Sequence, residues 1–153
     1  MSNAKKHIKI LFSQAQKHHH ARQFAEAQKL YAEILTEIPE HSDALNLLGT
    51  ALAQSGEPGE GIEYLQRAVD LRPDLAPFRV NLGVIFQDLG EFDKAKECYE
   101  HSIKIDETLG DAHYNLAKLY KQIGDTDAAL NTYKHLLTLV PERQDALVNM
   151  GNI

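Results

Sequence analysis

A period of 34 residues constrains this chain more than any other feature. Pro39, Pro73 and Pro141 are separated by one and two such steps, with Glu107 at the position between. Gly56, Gly90 and Gly124 keep the step, as do Gly49 and Gly83, followed by Ala117 and Gly151. Leu48, Leu82, Leu116 and Met150 form one large apolar series, and Tyr31, Leu65, Tyr99 and Tyr133 another. Ala27, Gly61, Ala95 and Ala129 form a series of small residues. Agreement across so many registers excludes an irregular globular fold. A fixed period of about 20–50 residues is the mark of stacked supersecondary units, none of which buries its apolar face alone.

Each unit reads as two helices. In the third, Leu82, Ile85, Phe86 and Leu89 recur at three and four residues, beside a second row of Val80, Val84 and Gln87. Gly90 ends that run, as a left-handed C-terminal residue does. A second amphipathic stretch runs from Phe92 to Ile105, with Ala95, Tyr99, Ser102 and Ile103 inward. Pro58 fits the first turn of a helix, whereas Pro39, Pro73 and Pro141 stop one. Gly83 and Ala95 are expected to face each other where two backbones approach closely. No segment shows sustained strand alternation.

The residues Ala112-His113-Tyr114-Asn115-Leu116-Ala117, with Tyr120, resemble the tetratricopeptide repeat, as do Leu45, Leu48, Gly49 and Leu52. The signature is a large residue, Leu-Gly, Tyr, then Ala, an aromatic and Pro. The resemblance implies an all-α fold, a right-handed α-solenoid of stacked antiparallel helix pairs. The repeats are expected at 8–41, 42–75, 76–109 and 110–143, with residues 144–153 opening a fifth. Residues 1–7 read as a tail in which Ser2-Asn3-Ala4 looks like a tag remnant. The first repeat is degenerate, with Leu11, Gln14, Ala15 and His18 at its signature positions, as suits a terminal cap.

Charge narrows the partners. Residues 1–25 carry five basic side chains and no acid, and the remainder carries a net −11, for a total of −6. An acidic body disfavours nucleic acid and anionic membranes, because neutralising phosphates requires clustered Lys and Arg. No apolar run reaches the roughly 18–20 residues of a membrane span, and no secretory signal is visible. Cys98 is the only cysteine, so no disulfide forms within the chain, and a reducing, cytoplasmic setting is expected.

In tetratricopeptide proteins the first helix of each repeat lines a concave groove, so the resemblance places function there. Asn81, Asn115 and Asn149 recur at the repeat period, each one residue before a core position. An amide both donates and accepts, and so can pair with the backbone of an extended peptide. The series is similar to the asparagine ladder of the O-linked N-acetylglucosamine transferase superhelix. The same amides equally suit hydrogen bonds that fix helix stacking. Leu47 and Ser13 break the ladder in the first two repeats. Val80, Val84, Tyr114, Lys118, Lys121 and Val148 flank it as an apolar, mildly basic strip. A chaperone-type carboxylate clamp is not expected, since Phe12, Asn46, Val80 and Tyr114 stand where its first Lys belongs.

His18-His19-His20 cannot chelate one ion well, because consecutive helical residues diverge by about 100°. Isolated periodic glycines make no phosphate loop, and an open solenoid lacks an enclosed catalytic pocket. No metal, cofactor or enzymatic activity is therefore expected. The leading expectation is a scaffold binding a protein or extended peptide. The alternative is a substrate-recruiting arm, since the stretch from Leu11 to Pro73 resembles repeats preceding bacterial glycosyltransferase or sulfotransferase domains. The final helix should leave Leu147 and Met150 partly uncovered and promote end-to-end self-association.

Overall fold

The computed structural model describes residues 3–153, which form helices and connecting turns without strands. The chain divides into two compact units, Met1–Pro73 and Asp74–Ile153. The first holds α1 (Asn3–His20), α2 (Phe24–Glu37), α3 (Ser42–Ser55) and α4 (Pro58–Leu71). The second holds α5 (Ala76–Asp88), α6 (Phe92–Ile105), α7 (Gly110–Gln122), α8 (Thr126–Leu139) and α9 (Gln144–Gly151). Within each unit every helix packs on the next, and α5 also touches α7. This is the helix-hairpin stacking of an all-α solenoid.

The turns explain the period. Gly56, Gly90 and Gly124 adopt φ of +102°, +76° and +83°. Each closes its helix with paired backbone bonds: Gly56 N–H reaches Ala53 C=O and Glu57 N–H reaches Leu52 C=O. Orphan carbonyls of the last turn are thereby satisfied. One step earlier, Arg22 makes the same bonds at φ +58°. There an L-residue carries a conformation that glycine adopts without a Cβ penalty. Where the proline series fails, Asp106 takes over. Its Oδ1 accepts from Thr108 N–H and Oγ1 at 2.9 and 2.7 Å, turning the chain after α6. The Thr108 bonds hold the Asp106 carboxyl below its usual range.

Tyr31, Tyr99 and Tyr133 are fully buried, one at the heart of each of three hairpins. Tyr99 donates to Gln87 Oε1 at 2.8 Å, and Tyr31 meets His19 Nδ1 at 3.5 Å, in both cases twelve residues back. The equivalent position for Tyr133 is Lys121, which is turned elsewhere, and the Tyr133 hydroxyl has no partner among the described residues. Burial pushes Tyr31 and Tyr133 up to about 12. Ser102, also fully buried, donates to Ala76 C=O at 2.9 Å and ties α6 to the start of α5.

One expectation about local structure changes. Residues 3–7 are helical, not a tail: α1 begins at Asn3, carried by the helix formers Ala4, Lys5 and Lys6 ahead of the buried stripe Ile8, Leu11 and Ala15. Ser2 lies outside the described residues. Gly83 packs against Tyr99 and Cys98: a Cβ there would lie 2.6 Å from Tyr99 Cε1 and 3.0 Å from Cys98 Cβ. A close backbone approach occurs in the α3–α4 hairpin. A Cβ on Gly61 would stand 2.5 Å from Gly49 O, and one on Gly49 would stand 2.6 Å from Gly61 O. Cys98 is half-buried in the α5–α6 hairpin, and burial pushes its thiol up to about 11, away from thiolate reactivity.

Candidate functional site

The predicted strip lies wholly in the second unit, on α5, α7 and α9. Its centre is Tyr114, which is held from several sides. The Arg143 guanidinium stacks on the ring 4.4 Å from its centroid, and Asn149 Nδ2 donates to its hydroxyl at 3.0 Å. Tyr133 meets it edge-on at 6.3 Å, and Lys118 Nζ is 5.7 Å from the ring centre. Arg143 is itself clamped. Its Nη1 donates to Asp111 Oδ1 at 2.8 Å and its Nε to Asp145 Oδ1 at 3.0 Å. Burial works against the Arg143 charge, but the bonds to Asp145 and Asp111 outweigh it and the net shift is upward. Burial likewise opposes ionisation of Asp145, and Arg143 outweighs it, holding that carboxyl low. Tyr114 is raised, first by burial and then by the Asp145 charge.

The three asparagines part company. Asn149 bridges α9 to α7 through Tyr114, and Lys121 Nζ donates to the Asn149 C=O at 3.3 Å. Asn115 turns back on its own helix, donating to Asp111 C=O at 2.9 Å, and its Oδ1 has no donor among the described residues. Asn81 is half-buried and engaged. Val80 is a core residue, not part of an exposed strip. It is 6% exposed and packs with Tyr99, Leu116 and Leu119, because α7 covers it. Val84 is half-buried against the same cluster, whereas Val148 is 61% exposed. Lys118 is exposed and Lys121 half-buried, and among the described residues neither pairs with a carboxylate.

Sequence reasoning missed Arg143, Asp111 and Asp145. The period offered a signal, since Asp43, Asp111 and Asp145 share one register, with Pro77 in the remaining place. It also missed a pair of grooves between second helices. One, of about 300 Å³, is lined by Leu35 and Thr36 of α2, Leu48 of α3, and Tyr64 and Arg67 of α4. The other, of about 440 Å³, is lined by Ile103 and Lys104 of α6, Leu116 of α7, and Thr132 and His135 of α8. These sets correspond residue by residue across two repeat steps. The run at the end of α1 diverges: His18 Nδ1 meets Gln23 Oε1 at 2.7 Å, while His19 Nε2 meets Gln54 Oε1 at 2.9 Å.

Known proteins share this fold. Tetratricopeptide repeat models match residues 14–76 and 74–142. No curated protein sequence matches significantly. Among solved structures, a thermophilic tetratricopeptide protein of Thermus thermophilus superposes with TM-score 0.84 at 22% identity, over 95% of this chain and 80% of that one. The O-GlcNAc transferase of Thermobaculum terrenum gives TM-score 0.84 at 23% identity, over 90% of this chain but 27% of that one. YrrB, described as a tetratricopeptide protein with an unusual peptide-binding site, gives 0.78 at 23% identity, over 93% of this chain and 73% of that one. Among the described residues no helix is long and apolar enough to cross a membrane. With its 34-residue hairpins closed by left-handed glycines, and both halves matched by the same kind of repeat model, the chain belongs to the tetratricopeptide repeat family.

Proposed function

We propose that this chain is a non-catalytic, cytoplasmic interaction scaffold that holds an extended segment of a partner protein against the α5, α7 and α9 faces. One observation carries the reading. On a chain of net charge −6, Lys118 and Lys121 stand without carboxylate partners among the described residues, beside the Tyr114 ring and the open Oδ1 of Asn115. An acidic segment with an apolar side chain complements that surface: carboxylates meet the lysines and the Asn115 amide meets peptide backbone. YrrB, described as peptide-binding, supports the reading by analogy of fold. Partners captured by wild type are compared with those captured by Asn81→Ala/Asn115→Ala/Asn149→Ala and by Lys118→Glu/Lys121→Glu. Both variants should lose the same partners while keeping wild-type helicity. Equal capture by folded variants refutes the site. The exposed Leu147 and Val148 further suit end-to-end contact between copies.

The second reading, a substrate-recruiting arm of a larger enzyme, draws on the fit to part of the O-GlcNAc transferase. A glycosyltransferase or sulfotransferase domain encoded beyond Ile153 would favour it, and further repeats alone would favour the scaffold.

A further inference from the structure

The groove between α6 and α8 contains a feature that the equivalent groove of the first unit lacks. His113, on α7, is 5% exposed, and His135, on α8, meets it with ring centroids 4.9 Å apart at an interplanar angle of 65°. Both line the groove. At the positions two repeat steps earlier stand Leu45 and Arg67. His113 Nε2 lies 2.9 Å from Glu107 C=O. A carbonyl only accepts, so Nε2 carries a hydrogen, and in the neutral ring Nδ1 then keeps a lone pair, for which the described residues supply no donor. Metal-binding histidines are commonly held this way, with the second nitrogen donating to a backbone carbonyl that fixes tautomer and ring orientation.

We infer that His113 and His135 form a two-histidine site for a borderline divalent metal of the zinc, copper or nickel class, open to the α6–α8 groove. The spacing of the rings fits. A metal at about 2.0–2.1 Å from a ring nitrogen lies roughly 3.2 Å from that ring's centroid. Two imidazoles bound at an angle near 100° therefore hold their centroids about 4.9 Å apart. The pair stands at that separation. Among the described residues no third His, Cys, Asp or Glu converges with them, so water completes the coordination. Imidazole ligands suit zinc, copper and nickel, whereas calcium and magnesium prefer oxygen. Binding competes with protons for the ring nitrogens, so affinity falls as pH drops.

The test follows imidazole resonances by NMR during titration with Zn²⁺ alone, at neutral pH and at pH 5. The His113 and His135 signals should shift together and saturably at neutral pH, and this response should be lost at pH 5. His135→Ala changes an exposed side chain and leaves the His18–His20 run intact, so it should abolish the His113 response while the fold persists. His113→Gln, if folded, should abolish the His135 response. Zinc shifts confined to His18, His19 and His20, or a His113 response undiminished in His135→Ala, overturn the assignment. The peptide surface on α5, α7 and α9 plays no part in this test.

Discussion

Gly56 and Gly59 offer a controlled experiment three residues apart. A Cβ built at either position meets nothing within 4 Å, so alanine creates no clash and fills no cavity at either. Both substitutions remove about the same freedom from the unfolded chain, worth about 0.4–1 kcal/mol in favour of the fold. The native backbone separates them. Gly59 lies in the first turn of α4, a conformation alanine prefers, so Gly59→Ala should stabilise by about 0.4–1 kcal/mol. Gly56 stands at φ +102°, where an L-residue pays about 1–2 kcal/mol, so Gly56→Ala should destabilise by about 0.5–1 kcal/mol. Because the unfolded-state terms cancel between the two variants, their difference isolates the left-handed penalty of about 1–2 kcal/mol. Urea unfolding followed by far-UV circular dichroism at 25 °C reads it as opposite displacements of the midpoint at constant slope. Thermal midpoints should separate by about 2–4 °C per kcal/mol. If both midpoints move the same way, or do not separate, the backbone is not what makes Gly56 periodic.

Two further expectations rest on contacts already described. Gly61→Ala places a methyl group 2.5 Å from the Gly49 carbonyl, and backbone cannot swing aside as a side chain does, so the same urea assay should show a loss of about 1–3 kcal/mol. A small or absent loss would mean that α3 and α4 separate freely. Val148 is 61% exposed beside Leu147 at 40%, so sedimentation velocity should show average mass rising with concentration, and Val148→Glu should hold the chain monomeric. A wild-type monomer at high concentration excludes end-to-end association.

The fold was legible because its punctuation obeys backbone rules that need no partner. Glycines at +φ and prolines after a helix are local requirements, and a 34-residue step turns local requirements into an architecture. Arg22 marks the limit of that legibility: its left-handed φ follows from stepping the Gly56 series back once, although its residue type argues against it. The candidate strip could be placed on helices from the sequence, but its contacts could not. Asn115 and Asn149 are the same letter in the same register, yet Asn149 crosses to Tyr114 while Asn115 folds onto its own helix. The difference lies thirty-five residues back, where Asn149 finds a hydroxyl and Asn115 finds Val80, which has no polar side-chain atom to offer. The same spacing joins His19 to Gln54 and Gln87 to Gln122. Repetition therefore specifies which side chains meet, and the pair of residue types at each meeting specifies whether an amide bonds across to the next helix or back onto its own. On that rule Asn149 fixes the stacking of α9 on α7, whereas the Asn115 amide stays on its own helix.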